Sequence, residues 1–351
     1  MFTGPSYEPM RAGWYPGNVT FDPRDLTVPV VCAPMAGGVS TPELVNAVND
    51  AGGLGVLPAG YLTAEAFADR ISEVSGTVAL NLFVPGPDTG SPAALTAYAQ
   101  TLAGDAERLE TPLGDPRWED DRWSEKLEVV LDVRPDLVSF TFGLPSASEL
   151  ARLDAAGIAT SATVTTLAEA QQAAALGVSM LVAQGPEAGG HRGTVDPLAD
   201  PATDSLDTLL SAVVPLGLPV VAAGGLGDAA DVARVLSAGA VAAQLGTAFL
   251  LADEAGTKPT HRAALTDPRF TSTTVTKAFS GRWARGLHNR FIDDHEADAP
   301  LAYPQVHHLT SPLRAAAATA GDPEAVHLWA GTGWQRATPG PAADLVAGLR
   351  R

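Results

Sequence analysis

Short apolar runs rich in Val, Leu and Ala recur along the chain, at residues 30–33, 54–57, 78–83, 137–142, 160–164, 180–184, 220–223 and 240–245. Most are apolar almost throughout instead of alternating with polar residues, as expected of strands covered on both faces. Between them lie stretches with helical spacing. Residues 41–50 and 63–74 open on Thr, and residues 146–155, 166–176 and 229–238 are rich in Ala and Leu. A Thr at such a start accepts a hydrogen bond from a free helical N–H. Glycine punctuates the other ends, at Ala51-Gly52-Gly53, Ala156-Gly157, Leu176-Gly177 and Ala238-Gly239, where a helix stops on a left-handed residue. Strands alternating with helices predict a parallel α/β sheet, and eight of them predict a closed (β/α)8 TIM barrel. The competing open sheet would carry Gly-x-Gly-x-x-Gly after an early strand, with an acidic residue ~20 positions later, and the chain has no such pattern.

Two stretches interrupt the repeat. Residues 85–135 exceed the needs of one crossover. They carry Pro85-Gly86-Pro87, a helical piece around 93–109, and the acidic Trp118-Glu119-Asp120-Asp121 before another helix. Residues 253–320 follow the eighth strand and hold the Thr- and Val-rich segment 271–280, then Gly281-Arg282-Trp283-Ala284-Arg285-Gly286. Long excursions from the C-terminal ends of barrel strands build lids and substrate walls. We expect a barrel over residues 1–252, a lid or smaller domain over 253–320, and a C-terminal helix or tail over 321–351 packing back on the barrel.

Composition narrows the function. The 351 residues include 40 acidic and 22 basic ones, a net charge of −18. That balance argues against nucleic acid and against an anionic membrane surface. An anionic small molecule stays possible where backbone N–H groups reverse the local sign. A single cysteine, Cys32, excludes an internal disulfide and a multi-cysteine metal site, and its place within the first strand disfavours a thiolate nucleophile. Met1–Gly17 lacks a basic segment followed by an apolar run, and no apolar stretch is long enough to span a bilayer, so we expect a cytoplasmic protein, a monomer or homodimer.

In a barrel, ligand-binding residues follow the strands. After the seventh comes Gly224-Gly225 and after the eighth Gln244-Leu245-Gly246-Thr247. Glycine turns at this pair of strands match the phosphate position of many barrels, although glycines also simply let strand and helix approach. After the first strand, Ala33-Pro34-Met35-Ala36-Gly37-Gly38 leaves flat space for a ring. Asn81, polar within an apolar run, needs partners that a heterocycle or a backbone carbonyl could supply. The densest loop follows the sixth strand: Gln184-Gly185-Pro186-Glu187-Ala188-Gly189-Gly190-His191-Arg192-Gly193. His191 could act there as a general base or as a cation holding an anion. Glu187 reads as structural. The other histidines lie outside strand ends, and adjacent His307-His308 read as surface or contact residues, not a metal pair. No cluster has metal-ligand spacing.

These motifs carry a resemblance. Ala33–Gly38, Val138–Gly143, Ala183–Gly193, Val220–Gly225 and Gln244–Leu250 together resemble the nitronate monooxygenase family, formerly 2-nitropropane dioxygenases, and its class I branch in particular. The resemblance covers residues 30–251, and 280–289 also looks familial. It implies a barrel that binds FMN through Met35, Asn81, Gln184, Gly189, Gly224, Gly225, Gln244, Leu245, Gly246 and Thr247. His191 matches the family histidine that contacts the nitro group and can remove the α-proton of a neutral nitroalkane. The implied reaction is oxidative denitrification of an alkyl nitronate, such as propionate 3-nitronate, with O2 to a carbonyl compound and nitrite. A cationic His191, with Arg192 nearby, would stabilise the nitronate oxygens. Two rivals share the barrel: a flavin-dependent enoyl-acyl-carrier-protein reductase, and a non-catalytic FMN-binding scaffold. Dehydrogenases of the inosine-phosphate type need a loop cysteine, which this chain lacks.

Overall fold

A computed structural model describes residues 21–350; the Met1–Gly17 stretch lies outside the described residues. Eight parallel strands close into a barrel: β1 (Val30–Cys32), β2 (Leu54–Pro58), β3 (Ala79–Phe83), β4 (Leu137–Thr141), β5 (Ala159–Val164), β6 (Met180–Gln184), β8 (Val220–Ala223) and β9 (Ala242–Leu245). Closure comes from β1 pairing with β9, with Val31 opposite Gln244 and Cys32 opposite Leu245. The intervening β7 (Gly190–His191) belongs to a separate three-stranded sheet with β10 (Thr273–Thr276) and β11 (Ala284–Leu287), in the order β10-β11-β7.

The helices stand where the caps put them. Thr41 and Thr63 accept from Leu44 N and Ala66 N at 3.0 and 3.1 Å. Ser146 with Glu149, and Thr166 with Glu169, form reciprocal capping boxes. Gly52, Gly157, Gly177 and Gly239 are all left-handed at the far ends. The patterning misses the helix Leu206–Val213 within the barrel and Pro259–Thr266, Arg290–His295 and Gln305–Thr319 after it, and it runs the strand at 137–142 one residue long. Phe142 leaves the strand in a left-handed conformation, φ +78°.

Strand alternation sorts the barrel interior. Val31, Leu54, Val56, Leu137, Ala159, Met180 and Ala242 form its apolar cluster. Two or four residues further along the same strands, Asn81, Ser139, Ser161 and Gln184 occupy the same inward-facing rows. The interior thus turns polar toward the C-terminal ends. Cys32 faces the other way, in the strand-to-helix core with Leu44 and Val45. Burial pushes its thiol far above the usual range, so no thiolate is available.

A second apolar core forms above the barrel. It joins Leu95, Tyr98 and Leu102 of the first interruption to Phe279, Phe291, Leu309, Leu313 and Leu328. The helical piece foreseen around 93–109 is broken in two, Pro92–Thr101 and Ala103–Arg108. Tyr98 buries its ring there and donates to Ala278 O at 2.6 Å. The two interruptions therefore share one core. The last helix, Ala342–Gly348, returns Ala342 and Val346 to the barrel core, against the helix Pro42–Asp50. Among the described residues no helix is long and apolar enough to cross a membrane, and no group of side chains could hold a metal ion.

Candidate active site

The loop after β6 is fixed from both sides. Gln184 Nε2 donates to His191 O at 3.1 Å, and its Oε1 accepts from Gly193 N at 2.8 Å. Backbone pairing with β11 sets Ala284 opposite His191, and Arg192 N donates to Trp283 O. Further along, Glu169 Oε1 accepts from Val195 N. His191 is thus a strand residue of the second sheet, poised over the barrel end, and not a residue of a loose loop.

Its ring sits among Phe142, Tyr303 and Trp329, with centroids 5.7, 5.8 and 5.4 Å away. Nε2 lies 2.8 Å from Ser280 Oγ. The one hydroxyl proton of Ser280 goes to Arg282 O at 3.1 Å, so Ser280 accepts from the imidazole. This assigns the proton to Nε2 and leaves the Nδ1 lone pair without a partner among the described residues. Burial, then the Arg282 and Arg314 guanidiniums, pull the His191 pKa down to about 3, so the ring is neutral. The expected imidazolium is therefore not what this geometry holds.

Arg192 departs from expectation too. It is 1% exposed, and its guanidinium donates to the carbonyls of Gly185 and Gln184 behind the loop. It stiffens the turn and does not face the His191 ring's aromatic neighbours. Arg282 lies over the Phe142 ring, with its guanidinium carbon 4.1 Å from the centroid. His307, read from sequence as a surface or contact residue, stacks on Tyr61 at 4.4 Å, and Arg314 donates to its carbonyl at 2.8 Å. His308 contacts Glu119 at 3.0 Å, so both histidines make contacts between elements. A cavity lined by Tyr61, Phe83, Phe142, Arg282 and Tyr303 opens outward past Trp118–Asp121. Tyr61, like Phe142, is left-handed (φ +68°), a conformation costing an L-residue about 1–2 kcal/mol. Asp121 holds Tyr61 N at 3.0 Å and is itself paired with buried Lys126 at 2.7 Å.

On the opposite side of the barrel end, Gly224 and Gly225 take φ +118° and +70° after β8. Gly246 and Thr247 follow β9, beginning a short 3-10 turn. No described hydrogen bond uses the N–H groups of Gly224, Gly225, Gly246 or Thr247. A side chain at Gly225 would strike Glu187 Cβ at 2.7 Å, whereas one at Gly246 would meet only Ala33 Cβ at 3.4 Å and Met35 Sδ at 3.7 Å. A methyl-sized group at Gly246 would thus just fit between Ala33, Met35 and the β9 turn, beside unspent N–H donors. The C-terminal stretch closes this corner, a contribution the motifs did not reveal. Gly331 N donates to Thr247 Oγ1 at 2.9 Å, Thr332 N to Glu187 O at 3.0 Å, and Arg336 to Gly225 O at 2.7 Å. Gly189 packs directly on the backbone of Ala330 and Gly331. Asn81 Nδ2 donates to Ser139 Oγ at 2.9 Å and Thr141 Oγ1 at 3.1 Å, leaving its Oδ1 without a donor among the described residues. Gln244 and Leu245 end β9, beside Ala223 of β8 and Cys32 of β1.

Fold and site together define a (β/α)8-barrel enzyme with a neutral, buried imidazole facing an aromatic box and a backbone-lined corner at the same strand ends. The nitronate monooxygenase family model matches residues 24–351. A probable nitronate monooxygenase of Staphylococcus aureus (strain Newman) is 35% identical over 340 residues, covering 92% of this chain and 94% of the relative. The crystal structure of a nitroalkane oxidase from Streptomyces ansochromogenes superposes with a TM-score of 0.89 at 47% identity, covering 93% of this chain and 96% of that one. FabK from Thermotoga maritima, at 22% identity and TM-score 0.70, shares the fold. The chain belongs to the nitronate monooxygenase family and is an oxidoreductase.

Proposed function

We propose that this enzyme carries out FMN-dependent oxidative denitrification of alkyl nitronates, with O2, to a carbonyl compound and nitrite. The observation that carries the reading is His191 Nδ1, left without a partner within an aromatic box above the barrel end that holds the four unspent N–H groups. The residues present fit FMN. The N–H groups of Gly224, Gly225, Gly246 and Thr247 would hold its phosphate without net protein charge. Met35, Asn81, Gln184, Gly189, Gln244 and Leu245 would border the ring, with Asn81 Oδ1 free to accept from it. Bound there, FMN supplies one-electron redox chemistry.

The protein's own part is positioning. Phe142, Tyr303 and Trp329 exclude water from the reacting carbon, which protects intermediates from hydrolysis. Ser280 fixes the His191 tautomer, so that Nδ1 is the atom that faces the nitro group or takes an α-proton. An imidazole with so low a pKa is a poor base for a C–H bond. This favours the preformed nitronate, which needs no deprotonation, as the better substrate. Anaerobic mixing of the holoenzyme with propionate 3-nitronate, and separately with NADH, tests the reading. Bleaching of the flavin band by the nitronate supports it. Rapid bleaching by NADH alone would instead favour the enoyl-reductase chemistry.

A further inference from the structure

The chain pairs its buried charges with care in most places. Lys126 meets Asp121 at 2.7 Å, and Asp105 is met by Arg108, Arg290 and His295 within 2.9 Å. Three arginines break this habit, Arg192, Arg282 and Arg314. They are 1%, 3% and 6% exposed, and none has a carboxylate within ion-pair distance among the described residues. Arg314 donates to neutral groups, Thr310 Oγ1 at 3.0 Å and His307 O at 2.8 Å, and its third nitrogen lies 3.3 Å from His327. Arg282 donates to Thr194 O with one terminal nitrogen. Its Nε is buried with no partner among the described residues, and its other terminal nitrogen makes no described hydrogen bond. It lies on Phe142, at the junction between the outward cavity and the His191 box.

Buried cations without counter-charges, in a chain of net charge −18, are expensive to desolvate. The neighbouring histidines relieve nothing, because His191, His307 and His327 are all held neutral. Arg192, whose Nε is likewise unpartnered among the described residues, spends both terminal nitrogens on the carbonyls of its own turn, whereas Arg282 spends one and keeps the other at the neck of the site.

We propose that Arg282, supported by the field of Arg314, is the specificity-determining residue that selects anionic substrates. Its free terminal nitrogen donates to a planar, two-oxygen anionic group at the neck of the site. Such a charge-assisted bond suits a nitronate and a carboxylate alike. The inference rests on the nitronate reading for the identity of the substrate, but not for the existence of the anion site.

The test uses the holoenzyme and the variants Arg282→Gln and Arg282→Lys. Sodium nitrate, a planar analogue of the nitronate group, and sodium acetate are titrated separately by calorimetry at fixed ionic strength. Ethyl nitronate and neutral nitroethane are compared as substrates. Arg282→Gln should weaken nitrate or acetate binding about tenfold or more, and Arg282→Lys should recover part of it. The same Gln variant should raise KM for ethyl nitronate about tenfold, with a smaller change in kcat, and alter KM for nitroethane much less. Whether nitrate or acetate loses more tells which group the arginine receives. Equal losses on both substrates, or anion binding unchanged in the Gln variant, would overturn the proposal. So would loss of flavin retention with anion binding intact, which would assign Arg282 to the cofactor. A parent enzyme that binds nitrate through Arg282 but oxidises no nitronate would overturn the functional reading and leave the anion site standing.

Discussion

At the ends of β8 and β9 the chain offers backbone: the N–H groups of Gly224, Gly225, Gly246 and Thr247. Above the same barrel end, the cap offers side chains: Ser280, Arg282, Tyr303, His307 and Arg314. The first region handles charge with dipoles that need no counter-ion, and it tolerates almost no side-chain volume. The second uses full charges, buried at a cost of several kcal/mol each, whose usefulness depends on a partner that is not part of the fold. Backbone sites of the first kind are set by strand geometry. Side-chain sites of the second kind are set by packing, and they can be retuned one residue at a time. The barrel floor is therefore the rigid part of this enzyme's chemistry and the cap the adjustable part.

The largest effect should come from damaging the backbone region. Gly225→Val adds a branched side chain at φ +70°, where even a Cβ meets Glu187 at 2.7 Å. Flavin absorbance per chain after gel filtration should fall about tenfold or more, because the turn must shift and the left-handed backbone alone costs about 1–2 kcal/mol. A variant that keeps its full flavin content would show that the N–H groups of this turn are not the phosphate anchor. Next in size is His191→Asn. Its kcat/KM for neutral nitroethane should fall about tenfold, less than the loss of a well-matched base would give, because the pKa of this imidazole is so low. Turnover of preformed ethyl nitronate should fall much less. Equal losses on the two substrates would argue against any base role for His191.

These two regions also differ in how much of them the sequence discloses. Gly224-Gly225 and Gly246-Thr247 were found because strand ends are known places to look, and the alternation that places Asn81 and Gln184 inside the barrel follows from the strand period. His191 stood out for its glycine neighbours. Ser280 and Arg282 lie in residues 280–289, which look familial but whose spacing assigns no role to either side chain. Nothing in the spacing of Arg314, His307 and Tyr303 points to the site, because the long helix Gln305–Thr319 carries the first two there on a face set by the second core. Arg192 misled for a related reason: adjacency to His191 in sequence suggests a shared ligand, but neighbouring strand residues point to opposite faces. Thr332 and Arg336 reach the β8 turn from the C-terminal stretch, where no motif marked them.

A subtler change sharpens the cap side. Ser280→Ala removes the hydroxyl that accepts from His191 Nε2 at 2.8 Å. The imidazole then chooses its tautomer freely, and a lost hydrogen bond of about 1 kcal/mol should lower kcat for nitroethane about fivefold to tenfold. The pH profile of kcat should shift as well, and Ser280→Thr should restore it. An unchanged profile would mean that Ser280 only packs.

The smallest expected effect reads the cap's electrostatics through stability. His307 is held neutral by burial and by Arg314, with His308, His327 and His191 adding to the effect, so its folded pKa is well below its unfolded value. An imidazole of this kind contributes stability that is fully present above about pH 6.5 and is lost as the pH falls, because the unfolded chain binds a proton that the folded one refuses. Acidification also reduces the net charge of −18 and relieves self-repulsion, an effect of the opposite sign, so the parent protein alone cannot separate the two. His307→Gln removes one refused proton and leaves the carboxylates untouched. It also keeps the Arg314 bond to the residue 307 carbonyl. Between about pH 7 and about pH 5, urea unfolding should show a stability loss smaller in the variant than in the parent by up to about 2 kcal/mol. Equal losses in the two proteins would mean that His307 titrates normally, and that the charge of Arg314 does not reach it as the packing around Tyr61 and Tyr303 implies.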